Sequence, residues 1–192
     1  DVLVSDYATR DVRGNHDVAQ GGEVRFMISE LYDQNSVTYA DDLGFEISNN
    51  ERGEYIVRVP ADMTSGEYVL EFTDIVGGKE IAKQNVTIRV HEINVSEDEL
   101  YIKKDGEAGE VTVNEANGFA SICENVWHSD FLWWGHYEYE CNVEVRDASG
   151  AISGGLTVNA TEGSDEYEIV VNEAGEYTVT FSDGVASEVI TV

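Results

Sequence analysis

Apolar and polar side chains alternate along this chain with a period of two, in short runs broken by turns. Val24, Phe26 and Ile28 interleave with Arg25, Met27 and Ser29, and Tyr68, Leu70 and Phe72 interleave with Val69, Glu71 and Thr73. Further on, Tyr137, Tyr139, Cys141, Val143 and Val145 interleave with Glu138, Glu140, Asn142 and Glu144. Successive strand side chains point to opposite faces, so this spacing predicts β-strands with one buried and one wet face. Helical spacing is hard to find. Gly21-Gly22, Asn49-Asn50, Gly77-Gly78, Asp105-Gly106, Ser149-Gly150, Gly154-Gly155 and Asp183-Gly184 separate the runs. These residue types tolerate the positive φ of tight hairpins. The single proline, Pro60, ends a run rather than interrupting one. The pattern predicts an all-β protein.

An internal repeat sets the domain count. Glu54-Tyr55-Ile56-Val57-Arg58-Val59 is followed by Gly66-Glu67-Tyr68-Val69-Leu70-Glu71-Phe72-Thr73-Asp74. Glu166-Tyr167-Glu168-Ile169-Val170-Val171 is followed by Gly175-Glu176-Tyr177-Thr178-Val179-Thr180-Phe181-Ser182-Asp183. Each copy passes through a Gly turn into a closing strand, 85–90 in the first and 187–192 in the second. Two domains are expected, 1–91 and 92–192, joined at His91-Glu92 with almost no linker.

The Gly-Glu-Tyr opening of a penultimate strand, after a Tyr-x-Ile/Val-x-Val strand, resembles bacterial immunoglobulin-like domains of cell-surface and adhesin proteins. The start of the second copy, Ile93-Asn94-Val95-Ser96 through Leu100-Tyr101-Ile102, is similar to the same domains. The resemblance implies two immunoglobulin-like β-sandwiches in tandem, in an extracellular protein, at the cell surface or secreted. It makes Tyr68 and Tyr177 the tyrosines near the start of strand F, whose hydroxyls tie back to nearby backbone. It also implies a monomeric piece of a longer multidomain chain, in keeping with an N-terminus that carries no basic, apolar leader.

Charge narrows the partners. With 39 acidic against 11 basic residues the net charge is −28, and phosphate binding needs clustered Lys and Arg, so nucleic acid is not an expected partner. Anionic membrane surfaces are disfavoured for the same reason. No apolar run approaches the ~20 residues of a spanning helix, so no membrane insertion is expected. Residues 1–91 hold 8 basic and 17 acidic residues, and 92–192 hold 3 and 22. The plain reading of this charge is solubility. Three glycosylation sequons, at Asn85, Asn94 and Asn159, matter only in a host that uses them.

Catalytic motifs are missing: there is no Gly-x-Ser-x-Gly elbow, no His-Glu-x-x-His and no phosphate-cradling Gly loop. The chain is expected not to be an enzyme and to need no cofactor. Both cysteines, Cys123 and Cys141, fall in the second copy, too close in sequence for the strand B to strand F bridge of antibody domains. The extracellular setting implied by the resemblance favours a disulfide between neighbouring strands, B and C. Free thiols, and a Cys123–His128–His136–Cys141 zinc site of non-standard spacing, are the alternatives. The acidic clusters Asp41-Asp42 and Glu97-Asp98-Glu99 offer oxygen ligands to a structural calcium, without the ordered spacing of a calcium loop. Solvated turns are the simpler reading of both. The connection from Tyr7 to Gly22 carries Arg10, Arg13 and His16, a small basic spot on an acidic protein.

One segment stands apart. Residues 127–136 contain all three tryptophans, with Phe131 and Leu132 among them. Connections are normally polar because they are wet. Trp127, His128, Phe131, Trp133, Trp134 and His136 are therefore the expected binding residues, within an aromatic insertion over 123–141 closed by the cysteines. The competing readings make Trp133 or Trp134 the buried tryptophan of the sandwich, or pack the segment against the neighbouring domain. Adjacent extended residues cannot both face the core, so at least one tryptophan should be exposed. Three functions stay open. The first is a binding module for a host protein (immunoglobulin among them) or a glycan; the second is a spacer in a stalk or S-layer; the third is a carbohydrate-binding module attached to an enzyme.

Overall fold

The alternating runs become the facing walls of two sandwiches in a computed structural model, which describes residues 3–6, 15–29, 37–39, 42–50, 54–131 and 133–192. The chain divides into two units, Asp1–His91 and Glu92–Val192. The first contains β1 (Leu3–Asp6), β2 (Asn15–Ala19), β3 (Glu23–Ser29), β4 (Val37–Tyr39), β5 (Glu46–Asn49), β6 (Glu54–Arg58), β7 (Gly66–Val76) and β8 (Lys79–His91). They form two four-stranded sheets, ordered β1-β3-β6-β5 and β2-β8-β7-β4. Every pairing is antiparallel except β2 with β8. Taken as strands A, B, E, D and C, F, G, this is the strand order of an immunoglobulin-like sandwich, with β2 as an extra first-strand segment lying along G.

The second unit repeats the plan. β9 (Ile93–Val95), β10 (Gly109–Glu115), β14 (Leu156–Ala160) and β15 (Glu166–Val171) form one sheet ordered β14-β15-β10-β9. β13 (Val143–Asp147), β16 (Tyr177–Ser182) and β17 (Ser187–Thr191) form the other. A parallel bridge from Glu99 to Thr191 stands where β2 pairs with β8 in the first unit. Residues 100–102 are not a strand here, and Tyr101 is exposed. β11 (Cys123–Phe131) and β12 (Trp134–Cys141) pair only with each other. They lie between the B strand β10 and the C strand β13. Among the described residues there is no α-helix, only a 3₁₀ turn at Ala116–Gly118.

The two repeat copies place the same rings in the same contact. Tyr55 on β6 meets Phe72 on β7 edge-on, with ring centroids 5.1 Å apart and planes at 70°. Tyr167 on β15 meets Phe181 on β16 at 5.0 Å and 67°. In each case the tyrosine comes from one sheet and the phenylalanine from the other, so the pair spans the sandwich. All four rings are buried. Around them lie Phe26, Val57, Leu70, Val86 and Ile88 in the first unit, and Val111, Ile169, Val179 and Ile190 in the second. No tryptophan enters either core. His16, expected in an exposed basic spot, is instead 1% exposed on β2, its ring stacked 5.2 Å from that of Phe26. The neighbours that made it look basic, Arg10 and Arg13, lie outside the described residues.

The corner tyrosines do what their position implies. The Tyr68 hydroxyl donates to the Thr64 carbonyl at 2.6 Å, and the Tyr177 hydroxyl to the Glu173 carbonyl at 3.0 Å, each four residues upstream. Gly155 leaves room for the second of these: a Cβ there would stand 2.1 Å from the Tyr177 hydroxyl. A net hydrogen bond of this kind contributes about 0.5–1.5 kcal/mol. Tyr68→Phe and Tyr177→Phe should each destabilise their own sandwich by about that amount with the fold retained, read from urea unfolding alongside circular dichroism.

Candidate functional site

The hairpin β11–β12 is rooted at Ile122, which is 2% exposed. Its carbonyl accepts the Asn142 amide at 2.8 Å, and the Asn142 carbonyl accepts the Ser182 amide of β16 at 3.0 Å. Glu115, at the end of β10, accepts the Ile122 amide at 2.5 Å. The disulfide Cys123–Cys141 joins residues directly opposite each other in the first rung. It links neighbouring strands as expected, but these are the two arms of an added hairpin, not strands B and C themselves. The run from Tyr137 to Val145 looks like one strand in sequence, yet it breaks at Asn142, so its first half leaves the sandwich. Both sulfurs are spent in the bridge, which removes the four-ligand Cys₂His₂ alternative.

Tyr167 carries the root. Its hydroxyl lies 3.1 Å from Cys123 Sγ. A disulfide sulfur has no proton, so the hydroxyl donates. Burial, and then the charges of Glu115, Tyr139 and Asp165, push the Tyr167 phenol up to about 12. Higher on the same face, the Asn125 amide donates to Glu162 at 2.8 Å.

Pairing runs from Cys123↔Cys141 through Trp127↔Tyr137 and His128↔His136 to Ser129↔Gly135, and shifts at a bulge before Phe131↔Trp134. Strict alternation gives the hairpin two different faces. One carries the disulfide, Asn125 with Tyr139, and Trp127 with Tyr137, whose rings meet at 4.9 Å and 62°. Gly135 lies under this pair: a Cβ there would stand 2.5 Å from the Trp127 ring and 2.2 Å from the His128 carbonyl. The other face carries Glu124, Val126, His128, His136, Glu138 and Glu140. The two imidazoles stack at 5.9 Å. His128 Nε2 contacts Glu140, while His136 bonds Glu138 through Nε2 and Asp130 through Nδ1, each at 2.9 Å. The bonds to Glu138 and then Asp130 raise the His136 pKa, and the bond from His136 holds that of Glu138 down.

The expected binding residues thus gather on one hairpin but divide between its faces and tip. Trp127 is 50% exposed, Phe131 69%, Trp133 81% and Trp134 72%, with Tyr137 adding 68%. The reading of Trp133 or Trp134 as the core tryptophan is overturned, because both are exposed on the added hairpin while the Tyr167–Phe181 pair lies in the core. Leu132 lies outside the described residues, as does Asp41 of the first acidic cluster. Asp42 and Glu97-Asp98-Glu99 are exposed, with Glu99 in the bridge to Thr191. Among the described residues, the His, Cys and carboxylate donors that converge closely enough to suit a metal are those of His128, Glu138 and Glu140. Sequence reasoning missed Tyr167, Glu115 and Glu162 as the supports of the hairpin, and Tyr137 as the partner of Trp127. Alternation around Cys141 signalled Tyr137; the three supports had no local signal. A cleft of about 330 Å³ opens beside the root, between Tyr139 and Cys141 on one side and Val158, Asn159 and Tyr167 on the other. The asparagines of all three sequons are exposed.

No family model matches the chain, and no curated protein matches it. Solved structures that it resembles include the D00-D0 domain of intimin, at 13% identity and TM-score 0.44, covering 100% of this chain and 98% of that one. Domains 5-6 of the S-layer protein SbsC match at 17% identity and TM-score 0.28, over 100% and 96% of the two chains. A chimeric titin Z1Z2 matches at 15% identity and TM-score 0.29, over 92% and 90%. The assignment of the fold rests on the strand order above.

Two measurements check this geometry. In a spectrophotometric alkaline titration, Tyr167 should ionise near 12, and Tyr167→Phe should remove that step. Its folded pKa lies above the ordinary tyrosine value of about 10. The stability it contributes should therefore be complete below about pH 10 and be lost as pH rises through about 12. Gly135→Ala should displace Trp127 and change the near-ultraviolet circular dichroism, while the melting temperature of the sandwich stays nearly constant, because the hairpin stands outside its core.

Proposed function

We propose that this chain is a non-catalytic, extracellular binding module of a bacterial surface protein, and that its second sandwich engages a host protein through the aromatic hairpin. The observation that carries the reading is the exposure of Trp127, Phe131, Trp133, Trp134 and Tyr137 on one disulfide-closed hairpin. Large apolar surface left in water costs free energy that a partner can recover, and tryptophan and tyrosine dominate the energetics of protein interfaces. Holding the arms together before the encounter lowers the ordering cost of binding. The hairpin offers open contact area and does not enclose a reacting atom, hence the non-catalytic reading.

Two features favour a protein over a glycan. The planes of Trp127 and Tyr137 meet at 62°, so this pair is a notch rather than the flat platform on which a sugar ring stacks. No Lys or Arg occurs between Lys104 and Arg146, while Glu124, Asp130, Glu138 and Glu140 stand on the hairpin. A neutral or basic protein surface complements that field. Immunoglobulins belong in the first panel to be tried, on the strength of the family resemblance. The first sandwich is read as a support.

The test is capture of host serum and mucosal proteins, and of a glycan array, by the whole chain and by its Trp133→Ala and Trp134→Ala variants. A true partner should lose at least about tenfold in affinity for each variant, as hot-spot aromatics do. The melting temperature should hardly move, because both side chains project into solvent. Capture unaffected by either change would place the site elsewhere, and no capture at all would favour the spacer reading.

A further inference from the structure

We propose that the face of the hairpin opposite the aromatic notch is a zinc-class metal site, with His128, Glu138 and Glu140 as ligands. His128 Nε2, one oxygen of Glu138 and one of Glu140 all lie within 4.8 Å of one another. His128 Nε2 already contacts Glu140 Oε1 and stands 3.9 Å from Glu138 Oε2. Tetrahedral zinc, with ligands at about 2.0–2.2 Å, wants donors roughly 3.3–3.6 Å apart. The adjustment is a side-chain rotation, with no change in the strands.

The backbone explains why these donors converge. His128, Glu138 and Glu140 project from one face of a two-stranded ladder whose register the bulge and the bridge define. Donors mounted on paired strands are better placed than donors on a loop. A second layer is also in place. Glu138 Oε1 accepts His136 Nε2 at 2.9 Å, leaving Oε2 turned toward His128, and His136 is in turn held through Nδ1 by Asp130 at 2.9 Å. A ligating carboxylate steadied by an imidazole, itself steadied by a second carboxylate, is the outer-shell support that metal ligands use.

Ligand chemistry selects the metal. One imidazole nitrogen and two carboxylate oxygens suit zinc or its first-row neighbours. Calcium takes 6–8 oxygens, and magnesium a near-ideal octahedron of them. Three protein ligands leave at least one position to water or to a donor from another molecule, as in open zinc sites. None of its ligands is one of the aromatic contacts proposed above, although Glu138 and Glu140 also belong to the negative field that partner would meet.

The experiment is calorimetric titration of the whole chain, stripped with chelator, with zinc chloride and separately with calcium chloride. One saturable zinc ion is expected, with no calcium binding at the same concentrations. His128→Ala and Glu140→Gln should each weaken zinc binding at least tenfold, and Glu97→Gln, in the exposed acidic cluster after β9, should leave it unchanged. Circular dichroism checks that the variants fold. Imidazole nitrogen resonances should shift at His128 Nε2 on adding zinc. Trp133→Ala and Trp134→Ala should bind zinc as the parent does, so loss of partner capture and loss of metal are separable. No saturable zinc binding, or binding equally strong in His128→Ala and Glu140→Gln, would overturn the proposal.

Discussion

An edge-on contact between a tyrosine of one sheet and a phenylalanine of the other holds each sandwich together. Tyr55 meets Phe72, and Tyr167 meets Phe181, at nearly the same distance and angle. The contact joins strands E and F, which are central in their sheets, so the other core side chains pack around it. Aromatic pairs in this arrangement contribute about 0.5–1.5 kcal/mol beyond the area they bury. It also does without the tryptophan that antibody domains place in the same region, and that leaves all three tryptophans available for use outside the core. In the second copy the same tyrosine does a further task. The ring of Tyr167 belongs to the core, while its hydroxyl supports the disulfide at the root of the hairpin. The aromatic projection is thus tied to the buried core of its sandwich.

The hairpin breaks the rule that governs the rest of the chain. Elsewhere, period-two alternation sorts apolar side chains inward and polar ones outward, and the energy of burial makes the sorting stable. On β11 and β12 the alternation persists with no sheet to cover, so it sorts aromatics from histidines and carboxylates, both in contact with water beyond the root. The surface is two-sided, with one face suited to apolar contact and one to a cation, and a change on one face leaves the other side chains in place.

Much of the fold was legible in sequence because it rests on local and repeated signals. The runs Glu54–Val59 and Glu166–Val171 became β6 and β15, and the Gly-Glu-Tyr openings led into strands whose tyrosines bond backbone four residues upstream. The candidate site was legible in composition but not in arrangement. Three tryptophans between two cysteines mark the segment, and nothing in their spacing distinguishes a core tryptophan from an exposed one. The core rings of the second sandwich, Tyr167 and Phe181, come from some 30 to 60 residues away, so no local signal in the segment marks its tryptophans as exposed. The break at Asn142 was hidden for a related reason: alternation continues across it unchanged, and only a tertiary hydrogen bond to Ser182 marks where the strand leaves one sheet for another. His16 misled in the opposite direction: two arginines close by in sequence suggested a wet basic spot, and its ring is instead buried against Phe26.

The Cys123–Cys141 bridge has a consequence beyond the free energy of closing a loop. A strand that covers a core is aligned by that core, because sliding it by one residue would turn every buried side chain outward. β11 and β12 have no such guide beyond their root: both faces are wet, and pairings one step apart differ little in burial. A covalent rung at the base defines which residue stands opposite which for the whole length of the hairpin. The bond therefore works as a datum for alignment. If it were reduced, the amino acids would be unchanged, but the partition into an aromatic side and a histidine–carboxylate side would lose its fixed reference. An oxidising environment is thus a condition for this protein to present two distinct surfaces.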